Sequence, residues 1–280
     1  MEIINLPKDL SLKNDLFAVY DYTTSKESLK QMVTLQKNTF SFLINGSKEV
    51  FSNKKNVSIQ NDYFLLMKKG RCLMTEKIIS SDSDTYRSIL FFFSNETILN
   101  FIKNKKISFN KNPELKSSVF SFSYDAFIKS FVSSLIEISK LSSDLQSSLL
   151  VSKFDELLTY LITVNGSDFI DSLLYELHNQ NQHFIEVIET NKLNKLTLKE
   201  LSFLSNMSLS SFKREFQKHF QTSPSKWFLE QRLEHSAILL QDKSVRPTDI
   251  FEEIGYENLS NFIQAFKLKF GMTPKQYQSS

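Results

Sequence analysis

The sequence is short of the residues that build disulfides, metal sites and membrane spans. Its 280 residues include a single cysteine, Cys72, so no intrachain disulfide can form, which fits a reducing compartment. No histidine precedes His178, and because zinc and iron sites commonly use histidine or cysteine, we expect no metal and no other cofactor. No apolar run approaches the ~20 residues of a membrane span, and the N-terminus lacks a signal-peptide pattern. We therefore expect a soluble, cytoplasmic protein that does not bind membranes.

Catalytic signatures are also missing. The sequence contains no nucleophile elbow, no glycine-rich phosphate loop and no HExxH motif. No catalytic residue is therefore assigned, and we do not expect an enzyme. The formal net charge of +3 does not by itself indicate nucleic-acid binding, so the positions of the charges must decide.

The pattern of apolar residues changes along the chain and predicts an α+β protein. Short alternating runs extend to about Phe93, and Asn45-Gly46 is a strong hairpin signal, so we predict an antiparallel β-barrel. From Tyr124 onward the apolar spacing becomes helical. The predicted domains are a β-rich regulatory domain (1–120), a helical dimerisation or linker region (121–180) and an all-helical DNA-binding domain (181–280).

The last third of the chain contains one pattern twice, at a constant offset of 50 residues. A repeat of about this length indicates one supersecondary unit used twice. Each copy predicts two short helices around a tight turn, which is a helix-turn-helix arrangement. Thr197 and Glu200 form a capping box in the first copy, and Gly255 supplies the turn in the second. The repeated residues are Leu209, Ser210, Phe212, Phe216, Phe220 and Pro224, matched by Leu259, Ser260, Phe262, Phe266, Phe270 and Pro274.

The second helix of each copy should bury its phenylalanines and present polar residues outward. Arginine and lysine can bond guanine, glutamine can pair with adenine, and isoleucine can touch a thymine methyl group. An apolar stripe with lysines near a helix end can equally be plain core, but its duplication with basic faces favours DNA binding. The predicted DNA-binding residues are Ser208, Ser210, Ser211, Lys213, Arg214, Gln217 and Lys218 in the first copy, and Asn258, Ser260, Asn261, Ile263, Gln264, Lys267 and Lys269 in the second.

Several segments of this region resemble the DNA-binding domain of the AraC/XylS family of bacterial regulators. They are residues 201–208, 212–216, 232–240, 254–256 and 262–277. The resemblance implies that one long helix joins the two units and places their recognition helices in successive major-groove turns, ~34 Å apart. Five residues depart from the family pattern. Ser202, Ser205 and Phe251 stand where small residues are usual. Asn206 stands where glycine is usual, and Gln264 stands where arginine is usual, which weakens the guanine contact expected of the second unit.

The strand-rich N-terminal segment resembles the cupin-type sensor domain common in that family. This resemblance implies control by a small-molecule effector or a partner protein. Residues 123–161 resemble the family's helical dimerisation arm, but packing of these helices against the barrel is equally consistent. The candidate effector-binding residues are Phe40, Phe42, Phe64 and Phe92, although a filled barrel core explains these aromatic side chains more simply.

Together, these observations predict a sequence-specific DNA-binding transcription regulator, and the family resemblance implies an activator. The expected partners are double-stranded DNA, RNA polymerase, a small-molecule or protein effector, and a second copy of the chain. The alternative is a small-molecule-modifying cupin enzyme with a basic helical appendage. Such an enzyme would need titratable side chains at catalytic spacing.

Overall fold

The computed structural model describes residues 3–10, 16–52, 55–79, 84–107, 119–166, 169 and 180–279. The chain divides into two compact units, Met1–Thr190 and Asn191–Ser280, which we call the N-terminal and C-terminal units. None of the described helices is both long enough and apolar enough to cross a membrane.

The described strands of the N-terminal unit form two five-stranded sheets. They are β1 (Ile3–Leu6), β2 (Phe17–Thr24), β3 (Ser28–Leu35), β4 (Asn38–Asn45), β5 (Ser47–Phe51), β6 (Val57–Ile59), β7 (Tyr63–Met67), β8 (Gly70–Lys77), β9 (Tyr86–Phe93) and β10 (Val119–Ser123). The first sheet has the order β1-β3-β8-β5-β6 and the second β10-β7-β4-β9-β2. Neighbouring strands are antiparallel except for the parallel pair β1 and β3. The strand-rich N-terminal domain of the predicted α+β fold is confirmed.

The second sheet is buried on both faces, which explains the nearly continuous apolar run of β9. Ile89, Phe91 and Phe93 face the helices of this unit, whereas Leu90 and Phe92 point to the opposite side. Successive side chains of a strand alternate between faces, so a strand covered on both sides needs apolar residues throughout. The facing sides of the two sheets share a second apolar core.

Asn45-Gly46 is a corner between the two sheets and not a hairpin. β4 pairs with β7 and β9, whereas β5 pairs with β6 and β8. Gly46 has a φ of +108°, and a Cβ atom there would lie 2.6 Å from the Lys77 carbonyl oxygen and 2.8 Å from the Tyr86 ring. The predicted hairpin is wrong because this glycine serves a close approach between sheets, where no side chain fits.

Helices cover the outer face of the second sheet. They include α1 (Asn95–Lys105), α2 (Ala126–Ser139) and α3 (Ser143–Asn165), and α4 (Gln180–Asn191) follows. The Asp125 carboxylate begins α2 by accepting a hydrogen bond from the Ile128 amide at 2.8 Å. The stripe that predicted this helix, including Phe131 and Leu135, packs with Phe154 of α3 on the sheet. These two helices therefore complete the N-terminal core.

The described residues of the C-terminal unit form helices and turns. The helices are α5 (Leu198–Leu204), α6 (Leu209–Phe220), α7 (Pro224–Leu239), α8 (Pro247–Ile250), α9 (Leu259–Phe270) and α10 (Pro274–Ser279). Leu233 and Ala237 of α7 pack against Ile250, Phe262 and Phe266. The predicted all-helical domain is confirmed, and α7 is the long helix between the two repeated units.

Candidate nucleic-acid interface

The first helix-turn-helix is fixed by local hydrogen bonds. The Thr197 hydroxyl accepts from the Glu200 amide at 3.2 Å, while the Glu200 carboxylate accepts from the Thr197 amide at 2.6 Å. This capping box starts α5. Asn206 makes the turn with a φ of +58°, which asparagine tolerates better than most residues. Ser208 then starts α6, its hydroxyl accepting from the Ser211 amide at 3.2 Å.

The aromatic face of α6 determines which side chains point outward. Phe212 and Phe216 are fully buried, and the Phe216 ring lies 4.5 Å from that of Phe220 and 5.7 Å from that of Trp227. With 3.6 residues per turn, the opposite face must look outward. The exposed residues there are Ser210, Lys213, Arg214, Gln217 and Lys218. These are five of the residues predicted to bind DNA.

The Arg214 guanidinium is not committed to any acid among the described residues. Glu215, its neighbour, pairs with His219 at 2.9 Å and more loosely with Lys218 at 3.6 Å. Glu230 lies 4.0 Å from Lys226. The exposed guanidinium therefore keeps its planar set of donors for an external partner.

The second helix-turn-helix repeats this construction with different residues. At the start of α8 the Asp249 carboxylate accepts from the Arg246 amide at 3.2 Å and from the Arg246 guanidinium at 3.0 Å. Gly255 makes the turn with a φ of +95°, and a Cβ atom there would lie 3.1 Å from Nη1 of Arg232 on α7. Asn258 starts α9, its side-chain oxygen accepting from the Asn261 amide at 2.9 Å. Desolvation lowers the pKa of the half-buried Arg232 guanidinium, which lies beneath this turn.

The aromatic face of α9 also matches that of α6. Phe262 and Phe266 are fully buried, and the Phe266 ring lies 4.4 Å from Phe270 and 5.4 Å from Tyr277. Of the predicted DNA-binding residues in this copy, Ile263 and Lys269 are half-buried and the others are exposed: Asn258, Ser260, Asn261, Gln264 and Lys267. In both copies, most of the predicted residues therefore share one exposed helix face.

Lys269 and Leu268 differ from what the sequence suggested. The Lys269 ammonium donates to the Glu234 carboxylate at 2.8 Å and to the Glu230 carbonyl at 3.2 Å, so this lysine is held against α7. Its ammonium is therefore not available to a DNA phosphate in the way that the predicted role in DNA binding requires. Leu268 is 90% exposed on the outward face and was missed. Aligning the two repeats at their offset of 50 would have shown that Leu268 occupies the position equivalent to Lys218.

The four aromatic residues predicted to bind an effector do not line one space. Phe40, Phe42 and Phe64 belong to the core between the second sheet and the helices, with ring distances of 5.9 Å and 5.0 Å along the series. Phe92 lies on the other face of the sheet, beside Ala18. All four rings are fully buried in packed clusters.

A polar cluster that sequence reasoning missed lies between the two sheets. Lys48 of β5 is 2% exposed, and its ammonium contacts the Glu76 carboxylate at 3.1 Å and donates to the Ser41 hydroxyl at 3.0 Å. Burial alone would lower the pKa of Lys48, but Tyr86 and Glu76 outweigh that effect and raise it. The hydroxyls of Tyr86 and Ser88 are buried without a hydrogen-bond partner among the described residues. The strand register that pairs residues 48 and 76 creates this cluster.

Metal ligands do not gather in the part of the chain that the structure describes. No group of three or more His, Cys, Asp or Glu side chains there could hold a metal ion. Cys72 is buried, and burial raises the pKa of its thiol to about 12. The thiol is therefore protonated and unreactive at neutral pH.

Known proteins match both units. The family described as ExsA N-terminal regulatory domain matches residues 38–172, and a helix-turn-helix domain family matches residues 202–280. The chain belongs to the AraC/XylS family. This family resemblance, which the sequence suggested from the C-terminal motifs, is confirmed, and it now includes the N-terminal regulatory domain.

Individual relatives in the family match over part of their length. ExsA of Pseudomonas aeruginosa, an HTH-type transcriptional regulator, is 29% identical over 125 residues, which is 44% of this chain and 45% of ExsA. VirF of Yersinia enterocolitica, a virulence regulon transcriptional activator, is 29% identical over 135 residues, 48% of this chain and 50% of VirF. The chain thus spans about half the length of these curated relatives. Among solved structures, apo ToxT of Vibrio cholerae has a TM-score of 0.43 at 14% identity, covering 95% of this chain and 97% of ToxT.

Proposed function

We propose that this protein is a sequence-specific DNA-binding transcription regulator that inserts α6 and α9 into successive major-groove turns of duplex DNA. The observation that carries the proposal is the paired construction of the two helices. Each is held by a side-chain cap at its start and by two fully buried phenylalanines. Each therefore presents its opposite face to solvent in a fixed orientation, as recognition helices do.

Arg214 is the strongest candidate for base recognition. Its guanidinium is exposed, has no ion pair among the described residues, and lies on the outward face of α6. An arginine in the major groove can donate two hydrogen bonds to O6 and N7 of one guanine, which discriminates against other bases by ~1–3 kcal/mol. Lys213 and Lys218 lie beside it on the same helix and are suited to phosphate contacts.

A specificity measurement tests the proposal. Affinities for the site selected from a random duplex library and for unrelated duplex are compared at two salt concentrations. Arg214→Ala should lower the ratio of specific to random binding by ~10–100-fold. Lys140→Ala is the matched control, because Lys140 is an exposed cation in the N-terminal unit and pairs with Glu137 at 2.7 Å. An unchanged ratio for Arg214→Ala would remove the assignment of α6 as a recognition helix.

The regulatory part comprises residues 1–120, with a helical dimerisation region at 121–180 and the DNA-binding domain at 181–280. Leu145 and Leu149 support self-association, because they lie one turn apart on α3 and are 54% and 41% exposed. Leu145→Lys with Leu149→Lys should reduce dimerisation in analytical ultracentrifugation. Val164→Lys, at a 62% exposed position near the end of the same helix, should not. Equal effects of these changes would count against this interface.

Transcription activation is the proposed output. VirF is named a transcriptional activator, and we extend that role to this chain through contact with RNA polymerase at the promoter, in the cytoplasm. Either a small molecule or a protein bound to the N-terminal unit would control it. The enzyme alternative has less support, because Lys48 and Glu76, buried between the sheets, neutralise each other and the relatives are regulators.

A further inference from the structure

The two recognition helices differ in charge although they share one construction. The segment 197–223, which contains α6, has four basic and two acidic residues, not counting histidine. The equivalent segment 246–273, which contains α9, has three basic and four acidic residues. Attraction to phosphates depends on such local charge. The first unit is therefore better suited to anchoring the protein on the DNA backbone.

Equivalent positions on the two helices show the same difference. At an offset of 50, Arg214 corresponds to Gln264, and Lys218 corresponds to Leu268. Gln264 is exposed, and Leu268 lies one turn further along the same face. Lys269 cannot replace the missing cation, because its ammonium is held by Glu234 at 2.8 Å and its side chain is only 23% exposed.

We propose that α9 selects an A·T-rich half-site, with Gln264 pairing to adenine and Leu268 contacting a thymine methyl group, while α6 selects guanine and supplies most of the charge. This inference rests on the proposed DNA binding. A glutamine amide donates to adenine N7 and accepts from the adenine amino group, so it matches adenine as arginine matches guanine. The thymine methyl group is the apolar feature of the major groove, and a leucine that is 90% exposed in the free protein suits it.

A reciprocal exchange tests the base assignment. Binding sites are selected from random duplex with the parent, with Gln264→Arg and with Arg214→Gln, all in the full chain. Gln264→Arg should change one position of the α9 half-site from adenine to guanine, and Arg214→Gln should make the opposite change in the other half-site. Each change of preference should be ~10–100-fold.

The outcomes separate this inference from the proposed function. Suppose that Arg214→Gln changes the preferred base in the α6 half-site but Gln264→Arg leaves the base preferences of the α9 half-site unaltered. The pairing of Gln264 with adenine is then overturned, while the proposed sequence-specific DNA binding stands. If the parent prefers no sequence over random duplex, the proposed function itself is overturned.

Removing one methyl group from the DNA tests the proposed contact between Leu268 and thymine. Each thymine of the α9 half-site is replaced in turn by deoxyuridine, which removes only the methyl group. At one thymine, the replacement should lower the affinity of the parent protein for the DNA severalfold and should not change the affinity of Leu268→Ala. Ile238→Ala is the matched control, because Ile238 is 61% exposed on α7, and it should stay as sensitive as the parent. Equal sensitivity of Leu268→Ala and the parent at every thymine would overturn the contact.

Discussion

Replacing Glu76 by glutamine should destabilise the N-terminal unit selectively, because it leaves a buried ammonium without its counter-charge. Lys48 is 2% exposed and contacts Glu76 at 3.1 Å, and its remaining hydrogen bond goes to the Ser41 hydroxyl of the second sheet. Breaking one side of a buried ion pair typically costs ~3–5 kcal/mol. Since whole domains are stable by only ~5–15 kcal/mol, the loss is a large fraction of the total. Lys48→Met with Glu76→Leu removes both charges and should cost much less.

Two single residues report on the two units separately. Cys72, the only cysteine, is buried in the N-terminal unit, and Trp227, the only tryptophan, lies in the C-terminal unit. Reaction of Cys72 with a thiol reagent at increasing urea follows the first, and Trp227 fluorescence follows the second. Glu76→Gln should lower the urea midpoint of the Cys72 transition and leave that of Trp227 unchanged. A single variant no less stable than the parent, or a double variant as unstable as the single one, would refute the reasoning.

Three further predictions follow from particular contacts. Gly255→Ala should destabilise the second helix-turn-helix by ~1–2 kcal/mol, because φ is +95° and the new Cβ would lie 3.1 Å from Arg232. Hydrogen exchange of the α9 amides measures this loss of stability, and unchanged protection of these amides would contradict the prediction. Lys269→Met should leave the salt dependence of DNA binding unchanged, because Glu234 holds the ammonium; a slope reduced by about one unit would instead reveal a phosphate contact. The N-terminal unit should lose stability as pH rises above ~10. The pKa of Lys48 is raised in the folded state, and burial raises the pKa of Tyr86. The unfolded chain therefore loses these two protons at lower pH than the folded unit does, which favours unfolding. Circular dichroism between pH 8 and about 12 tests this, and a flat profile would count against it.

Local features of the DNA-binding unit could be predicted well from sequence. The capping box of Thr197 and Glu200, the turn at Gly255 and the phenylalanine spacing involve residues a few positions apart, and the structure contains all three. The partner of Lys269 could not be predicted, because Glu234 lies 35 positions away and meets it only through packing of α9 on α7.

The N-terminal unit shows the same limit. Strands up to Phe93 could be predicted from short apolar runs, but β1 and β10 were not predicted. Asn45-Gly46 suggested a hairpin, because the pairing of β4 and β5 with strands of different sheets leaves no local signal in the sequence. Lys48 and Glu76 were missed for the same reason: their contact depends on the register of β5 and β8. From the sequence alone, charged residues in strands that alternate polar and apolar side chains are expected on the solvent side. Only the packing of the second sheet over the first buries these two.

Hydroxyl-radical footprinting of the full chain on its selected duplex tests most directly whether the two helix-turn-helix units read DNA together. We expect two protected stretches whose centres are one helical turn apart, ~10 base pairs, with Arg214→Ala weakening protection over the stretch bound by α6. A footprint confined to one turn, or protection that is the same on unrelated duplex, would contradict the account.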